Sequence, residues 1–309
     1  MQSKIQENIP LAPYTSWNIG GPAQFFFQPL NLLQLQQSLQ WALDQRIPYE
    51  ILGGGSNVLI SDEGFPGLVV QMGKMSGIFD LQIHEGAISF SAWSGTSKSE
   101  ILKLCLKEQF EAAMFLAGLP GDVGGGVVMN AGVAENFPIR EFGQIVQKVY
   151  VWDPMTKKEK VFFHDELMWN YRHSLGWQPG VLFRVDFFIS SAKDPNIVQK
   201  VREANKIRLQ KQPLDMPSCG SVFMNPPGFK AAQLIDGCGL KGFRKGDAQV
   251  STKHANFIVN LGKATAEDVA FVIRHVQSVV LQQKSVPLKT EVVPLGPVSL
   301  KISSAVKSY

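Results

Sequence analysis

Leu52-Gly53-Gly54-Gly55-Ser56-Asn57-Val58-Leu59-Ile60 sets a glycine turn between two strand-like runs, Tyr49–Leu52 and Val58–Ile60. A longer glycine-dense stretch follows later, Gly118-Leu119-Pro120-Gly121-Asp122-Val123-Gly124-Gly125-Gly126-Val127-Val128-Met129-Asn130-Ala131-Gly132. Glycines beside strands let backbone approach a ligand closely, most often a phosphate cradled by N–H groups. The familiar phosphate loops do not fit. The chain holds no Walker-type lysine loop, and Gly53-x-Gly55 meets Val58 where the dinucleotide fingerprint requires glycine. A strand rather than a helix comes next, so the usual NAD-type fold is disfavoured. Taken one at a time, such loops are also ordinary turns.

Outward from these loops, the first half reads as short strands. Ala23–Gln28 and Gly67–Met72 are apolar runs, and Ile78–Ile83 with Ala87–Ala92 form a hairpin around Glu85-Gly86. Leu32, Leu35, Leu39 and Leu43 mark a helix within 30–45, and Ser97 or Ser99 caps a second one reaching Gln109. Ile145–Trp152, Glu159–Phe163 and Val181–Ile189 are strands. Ser190–Pro195, small and polar, is the boundary, giving regions 1–192 (subdivided near 74/75) and 193–309. In the second region Ile197–Gln210 and Phe229–Asp236 read as helices and Asn256–Leu261 as a strand. Thr265-x-x-Asp268 opens a long helix in the manner of a capping box, and Leu288–Pro294 closes as a strand.

The chain has 309 residues, about two domains at ~150 residues each. Its formal charge of +4 hides an asymmetry: residues 1–191 carry 13 basic and 18 acidic side chains, and residues 192–309 carry 17 and 8. A basic C-terminal region attracts anions, whether nucleic acid, membrane or a phosphorylated small molecule. The basic residues are dispersed with no interleaved aromatics, which disfavours nucleic acid. Three cysteines without a CxxC pair, no apolar leader and no membrane-length apolar run point to a cytoplasmic enzyme without disulfides. The five histidines make no metal-binding spacing, so no metal is expected.

Taken together, the motifs carry a resemblance. LGGGSNVLI (Leu52–Ile60), the Gly118–Gly132 stretch, YRHS (Tyr171–Ser174), CGSVFMNP (Cys219–Pro226) and HANFIVN (His254–Asn260) are similar to those of the UDP-N-acetylenolpyruvoylglucosamine reductases. The likeness runs from Thr15 to Glu291 and is closest to the compact subtype of that family. It implies an α+β chain: a vanillyl-alcohol-oxidase/PCMH-type FAD-binding domain followed by a smaller α/β substrate-binding domain. Gly53, Gly54, Gly55, Ser56, Asn57, Gly118, Pro120, Gly121, Val123, Gly124, Gly125, Asn130 and Gly132 would hold FAD. Backbone N–H groups suit a diphosphate without any lysine. Neither loop carries the histidine or cysteine that anchors flavin covalently in some families of this fold, so the FAD is expected to be non-covalent.

The implied reaction passes hydride from NADPH through FAD to the enolpyruvyl group of UDP-N-acetylglucosamine enolpyruvate, giving UDP-N-acetylmuramate for peptidoglycan. Arg172 matches the family's catalytic arginine; guanidinium stays charged and forks onto a carboxylate. Ser221 matches the proton donor, a weak acid suited only to a strongly basic carbanion or enolate. Glu291 matches a third residue that stabilises or protonates the intermediate, and a carboxylate among apolar neighbours needs a partner. Tyr171, Asn225, Gln249 and His254 fall at substrate positions, as does the neighbouring Asn256. Each has a structural reading beside the functional one: a salt-bridged arginine, a turn serine, an edge carboxylate, a satisfied histidine. Met224 departs from the family, which commonly has Lys or Arg there; Lys230, Lys241, Arg244 or Lys253 would compensate. Cys219 reads as structural. A monomer is expected. An FAD oxidase of the same fold and a non-catalytic nucleotide-sugar binding module remain as alternatives.

Overall fold

The computed structural model describes residues 5–133 and 137–297. The ends of the expected 1–192 and 193–309 regions lie outside the described residues. In chain order the first elements are β1 (Gln6–Pro10), β2 (Pro22–Phe27), α1 (Leu32–Asp44), β3 (Tyr49–Leu52), β4 (Val58–Ile60), β5 (Phe65–Gln71), β6 (Ile78–His84) and β7 (Ala87–Trp93). Then come α2 (Lys98–Lys107), α3 (Ala113–Leu116), α4 (Val123–Val128), β8 (Val146–Asp153), β9 (Lys158–Phe163) and β10 (Val181–Ser190). The remainder holds α5 (Ile197–Lys211), α6 (Ala231–Asp236), β11 (Arg244–Lys245), β12 (Ala248–Val250), β13 (Ile258–Asn260), α7 (Ala266–Lys284) and β14 (Val293–Leu295).

The chain divides into two compact units. One comprises Phe26–Gly54 and Leu68–Asn205; the other comprises Gln6–Phe25, Gly55–Gly67 and the chain from Lys206 on. The first unit is built on an antiparallel sheet in the order β6-β7-β10-β8-β9. Alternation along β10 sends Val185, Phe187 and Ile189 into the core and leaves Arg184 and Asp186 on the other face. The core side is covered by Ile101 and Cys105 of α2, Phe115 of α3, and Val123 and Val127 of α4. Phe187 stacks on Phe90 at 5.0 Å and meets Phe142 edge-on at 6.0 Å. In the same unit β3 pairs in parallel with β5, Tyr49 against Leu68 through Leu52 against Gln71. Helix α1 buries Leu35, Leu39 and Ala42, and Asn31 caps it by accepting from Gln34 N–H at 3.0 Å.

In the second unit the short antiparallel sheet β11-β12-β13 lies in a core with Val269, Val272, Ile273, Val276 and Val280 of α7. Thr265 and Asp268 close the expected capping box, with Thr265 Oγ1 accepting from Asp268 N–H at 3.0 Å. Asp62 caps the same helix from far away in sequence, accepting from Ala266 N–H at 2.8 Å. Trp17 donates its indole N–H to Ile258 O at 2.8 Å, and Asn260 donates back to Trp17 O at 2.9 Å. Strand β4 pairs in parallel with β14, Val58 against Val293 through Ile60 against Leu295. Residues 6–25 and 55–67, read from the sequence with the first region, thus pack with the chain from Lys206 on.

Three local expectations need correction. The Gly118–Gly132 stretch, read as loop, contains the helix α4: Asp122 accepts from Gly125 N–H at 3.0 Å, and Val123 and Val127, one turn apart, are drawn into the core. The expected strand over Leu288–Pro294 is regular only at Val293–Leu295; Thr290 makes an isolated bridge to Phe223. Strands β1, β11 and β12 and helix α3 were not legible as periodic runs. No helix among the described residues is long and apolar enough to cross a membrane.

Candidate active site

In the first unit the two glycine stretches lie against each other. A Cβ placed on Gly54 would stand 3.2 Å from Gly121 Cα, so glycine is what lets the two backbones meet. The segment Ser94–Lys98 templates the second stretch: Val123 N–H bonds Thr96 O at 2.8 Å, Gly124 N–H bonds Ser94 O at 2.7 Å, and Lys98 N–H bonds Gly121 O at 3.1 Å. Ser94 Oγ and Asp122 Oδ2 are buried here with no hydrogen-bond partner among the described residues. A bare-backbone cradle with an orphaned Ser94 hydroxyl able to donate fits the diphosphate of FAD. Sequence reading missed Ser94, Lys98 and Asp122, since none stands in a recognisable spacing.

Asn130 is 1% exposed and holds structure rather than solvent. Its side chain accepts from Gly143 N–H at 2.9 Å and donates to Asn170 O at 2.9 Å and Glu141 Oε2 at 3.1 Å. Asn170 and His173 close a tight turn on each other, through N–H···O bonds of 3.0 and 3.3 Å, with Tyr171 and Arg172 at its tip. The glycine stretch therefore anchors the turn that carries the candidate catalytic arginine. Arg172 has φ of 61°, a conformation that costs a non-glycine residue roughly 1 kcal/mol or more. Its guanidinium lies 4.7 Å from the centre of the Tyr171 ring, and a Cβ on Gly132 would stand 3.2 Å from Arg172 Nη1.

In the second unit, Gly55 has φ of 61°, and a Cβ there would stand 1.9 Å from Tyr14 O, so the turn requires glycine. Ser56 is half-buried. Asn57 donates its amide to Glu291 O at 2.8 Å, while Val293 N–H donates to Asn57 O at 3.0 Å. The turn thus fastens the segment bearing Glu291. On the other side of that segment Glu291 N–H donates to Val222 O at 2.8 Å and Met224 N–H donates to Lys289 O at 2.9 Å. Ser221, the residue before Val222, is brought to this ladder with Glu291. Asn256 clamps the same stretch: its side chain accepts from Phe223 N–H at 2.9 Å and donates to Phe223 O at 2.8 Å, and its carbonyl accepts from Val222 N–H at 2.9 Å. Ser221 is half-buried, and its hydroxyl makes no hydrogen bond among the described residues. Cys219 is buried; burial, and then the Glu291 carboxylate, hold its thiol far above the ordinary range, so it stays protonated.

Asn225 is exposed and accepts from Ala231 N–H at 3.0 Å, fixing the start of α6. Gln249, on β12, donates to Gly242 O at 3.3 Å. His254 accepts from Asn256 N–H at Nδ1, 3.3 Å away, which leaves its proton on Nε2. Burial, helped by Lys241, keeps that ring below its ordinary pKa and neutral at pH 7. Of the four cations that could stand in for Met224, three face carboxylates: Lys241 on Asp236 at 2.9 Å, Lys253 on Asp215 at 3.3 Å, and Arg244 on Asp247. Lys230 is exposed and makes no ion pair among the described residues.

The glycine cradle lies in the part of the chain, residues 23–157, that matches the family described as FAD binding domain, which makes the chain a flavin-dependent oxidoreductase of the vanillyl-alcohol-oxidase/PCMH-type fold. Residues 212–295 match the UDP-N-acetylenolpyruvoylglucosamine reductase C-terminal domain. Curated relatives named UDP-N-acetylenolpyruvoylglucosamine reductase include one from Parasynechococcus marenigrum, 37% identical over 94% of this chain and 96% of its own. Another, from Desulforamulus reducens, is 37% identical over 96% and 95%. The crystal structure of the reductase from Thermus caldophilus is 31% identical, with a TM-score of 0.73, over 94% of this chain and 99% of its own. The chain belongs to the UDP-N-acetylenolpyruvoylglucosamine reductase family.

Proposed function

We propose that this chain reduces UDP-N-acetylglucosamine enolpyruvate to UDP-N-acetylmuramate at the expense of NADPH. The observation that carries the reading is the ladder joining Val222 to Glu291, which brings an unbonded Ser221 hydroxyl and a carboxylate to one short stretch of backbone. FAD, when bound, would supply the redox chemistry, a hydride relay between NADPH and the enolpyruvyl CH2. Gly53, Gly54, Gly118, Pro120, Gly121, Val123, Gly124, Gly125 and Gly132 would hold it in the first unit. Gly55 and Ser56 are further positions that the family motif assigns to it.

Hydride addition leaves negative charge on the neighbouring carbon and its carboxylate. Arg172 meets that charge with a fork that remains cationic throughout. Ser221 then gives its Oγ proton to the carbon, which a hydroxyl can do only against so strong a base. Glu291 stabilises the protonation state of this group. Tyr171, Asn225, Gln249 and neutral His254 bind the substrate, and Lys230 supplies the cation that Met224 lacks. Asn57 and Asn130 act mainly by fixing the Glu291 and Arg172 segments.

The test is spectroscopic. Purified protein should show a flavin absorbance that NADPH bleaches and UDP-N-acetylglucosamine enolpyruvate restores. Hydrogen peroxide formed without NADPH would assign the chain to the oxidases instead, and colourless protein that takes up no FAD would leave a binding module.

A further inference from the structure

Lys98 opens α2, where a helix N-terminus favours acids over cations, and it is 4% exposed. A lysine so placed costs free energy unless something nearby needs its charge. Its Nζ donates to Pro120 O at 2.7 Å and lies 5.4 Å from the centre of the Phe142 ring. Its main-chain N–H holds Gly121 O at 3.1 Å, so both ends of the residue grip the second glycine stretch. Asp122, bridged through its backbone to the neighbouring Ser97, is the carboxylate whose charge acts on it. One Asp122 oxygen caps α4; the other is buried without a hydrogen-bond partner, and a Cβ on Gly53 would come within 2.7 Å of it. The cradle thus contains an acid in the middle of backbone meant to face an anion.

We propose that Lys98 is a positioning residue for the cofactor, neutralising the Asp122 cap so that the glycine cradle presents N–H groups without net negative charge to an anionic diphosphate. The proposal rests on the FAD reading above. The acid cannot simply be omitted, because α4 begins with three glycines among its first four residues and needs its cap. The cap in turn needs a counter-charge wherever an anion is to bind. Burial brings the Lys98 ammonium down to about 8 against the pull of Asp122, and raises Asp122 against the pull of Lys98. Asp122 is the charged group acting on Lys98; the Pro120 carbonyl and the Phe142 ring bring none.

The experiment is FAD affinity of the full chain, read by quenching of flavin fluorescence, for wild type, Lys98→Met, Asp122→Asn and the double variant. Lys98→Met should weaken binding about tenfold or more, because it leaves an uncompensated carboxylate beside the phosphates. Asn keeps a capping oxygen, so the double variant should regain most of the affinity. A double variant as weak as Lys98→Met, or a Lys98→Met variant that binds like wild type, overturns the proposal. Should Lys98→Met fail to fold, the wild type still decides: its affinity should fall as pH rises from 7 to 9 through the Lys98 titration at about 8. A flat profile there overturns the proposal too. Wild type that binds no FAD at all would instead sink the flavin reading, a separable outcome.

Discussion

In the first unit the glycine cradle is held partly by main-chain bonds from Ser94–Lys98 and partly by side chains. Lys98 and Asp122 fix the glycine cradle, and Asn130 ties it to the turn that carries Arg172. In the second unit a main-chain ladder does this work, from Val222 to Glu291 and from Met224 to Lys289, with Asn256 and Asn57 clamped on its two sides. The difference follows from what each region presents. An amide that meets a diphosphate cannot also pair with a neighbouring strand, so the main-chain bonds from Ser94–Lys98 hold only part of the glycine stretch and side chains fix the rest. A proton donor is a side chain, so its own backbone is free to pair.

The contrast predicts that damage to the ladder slows reoxidation and spares FAD binding. The largest effect should come from Ser221→Ala. Reoxidation of reduced enzyme by the enolpyruvyl substrate should slow by roughly a thousandfold while reduction by NADPH stays near wild type. Equal losses in the two half-reactions, measured by stopped flow, would refute the proton-donor role. Arg172→Lys should follow at about a hundredfold in reoxidation, since an ammonium is a point charge and cannot fork. A rate within a factor of two of wild type would make Arg172 a structural residue.

Asn256→Ala tests the clamp itself. It leaves Phe223 N–H and C=O buried without their partner, a destabilisation of about 1–3 kcal/mol in a denaturant titration. Reoxidation should fall by roughly tenfold as Ser221 loses register, with FAD affinity unchanged. A matching loss of FAD affinity would break the comparison. The smallest effect is expected from Lys241→Glu. The His254 ring is depressed below its ordinary 6.5, so its contribution to stability is complete above that pH and is lost as pH falls toward the folded-state value. Replacing the nearby cation by an acid should raise the ring's pKa, seen by NMR of the imidazole. An unchanged titration would leave burial as the whole cause.

Much of this was legible. The two glycine stretches, the Thr265–Asp268 box and the alternation along β10 are local patterns, and local patterns survive in sequence. Long-range partnerships do not. Nothing around Asn256 announces that its amide grips Phe223, because an asparagine that mimics a peptide looks like one awaiting a ligand. Asn57, Asn130 and Asn225 share that ambiguity, each bonded to backbone by at least one side-chain atom. Helix α4 was hidden by composition: helix propensity argues against three successive glycines, and a cap plus two buried valines override it.

The pairing of β4 with β14, and of Trp17 with Ile258, bears on how the protein is made. A ribosome releases Trp17 241 residues ahead of Ile258, and Val58–Ile60 well ahead of Val293–Leu295. Until then these apolar residues have no native place to go, and the nascent chain carries them exposed. The second unit, with its long sequence separations, should therefore fold later and more slowly than the sheet of the first, whose strands all precede Ser191.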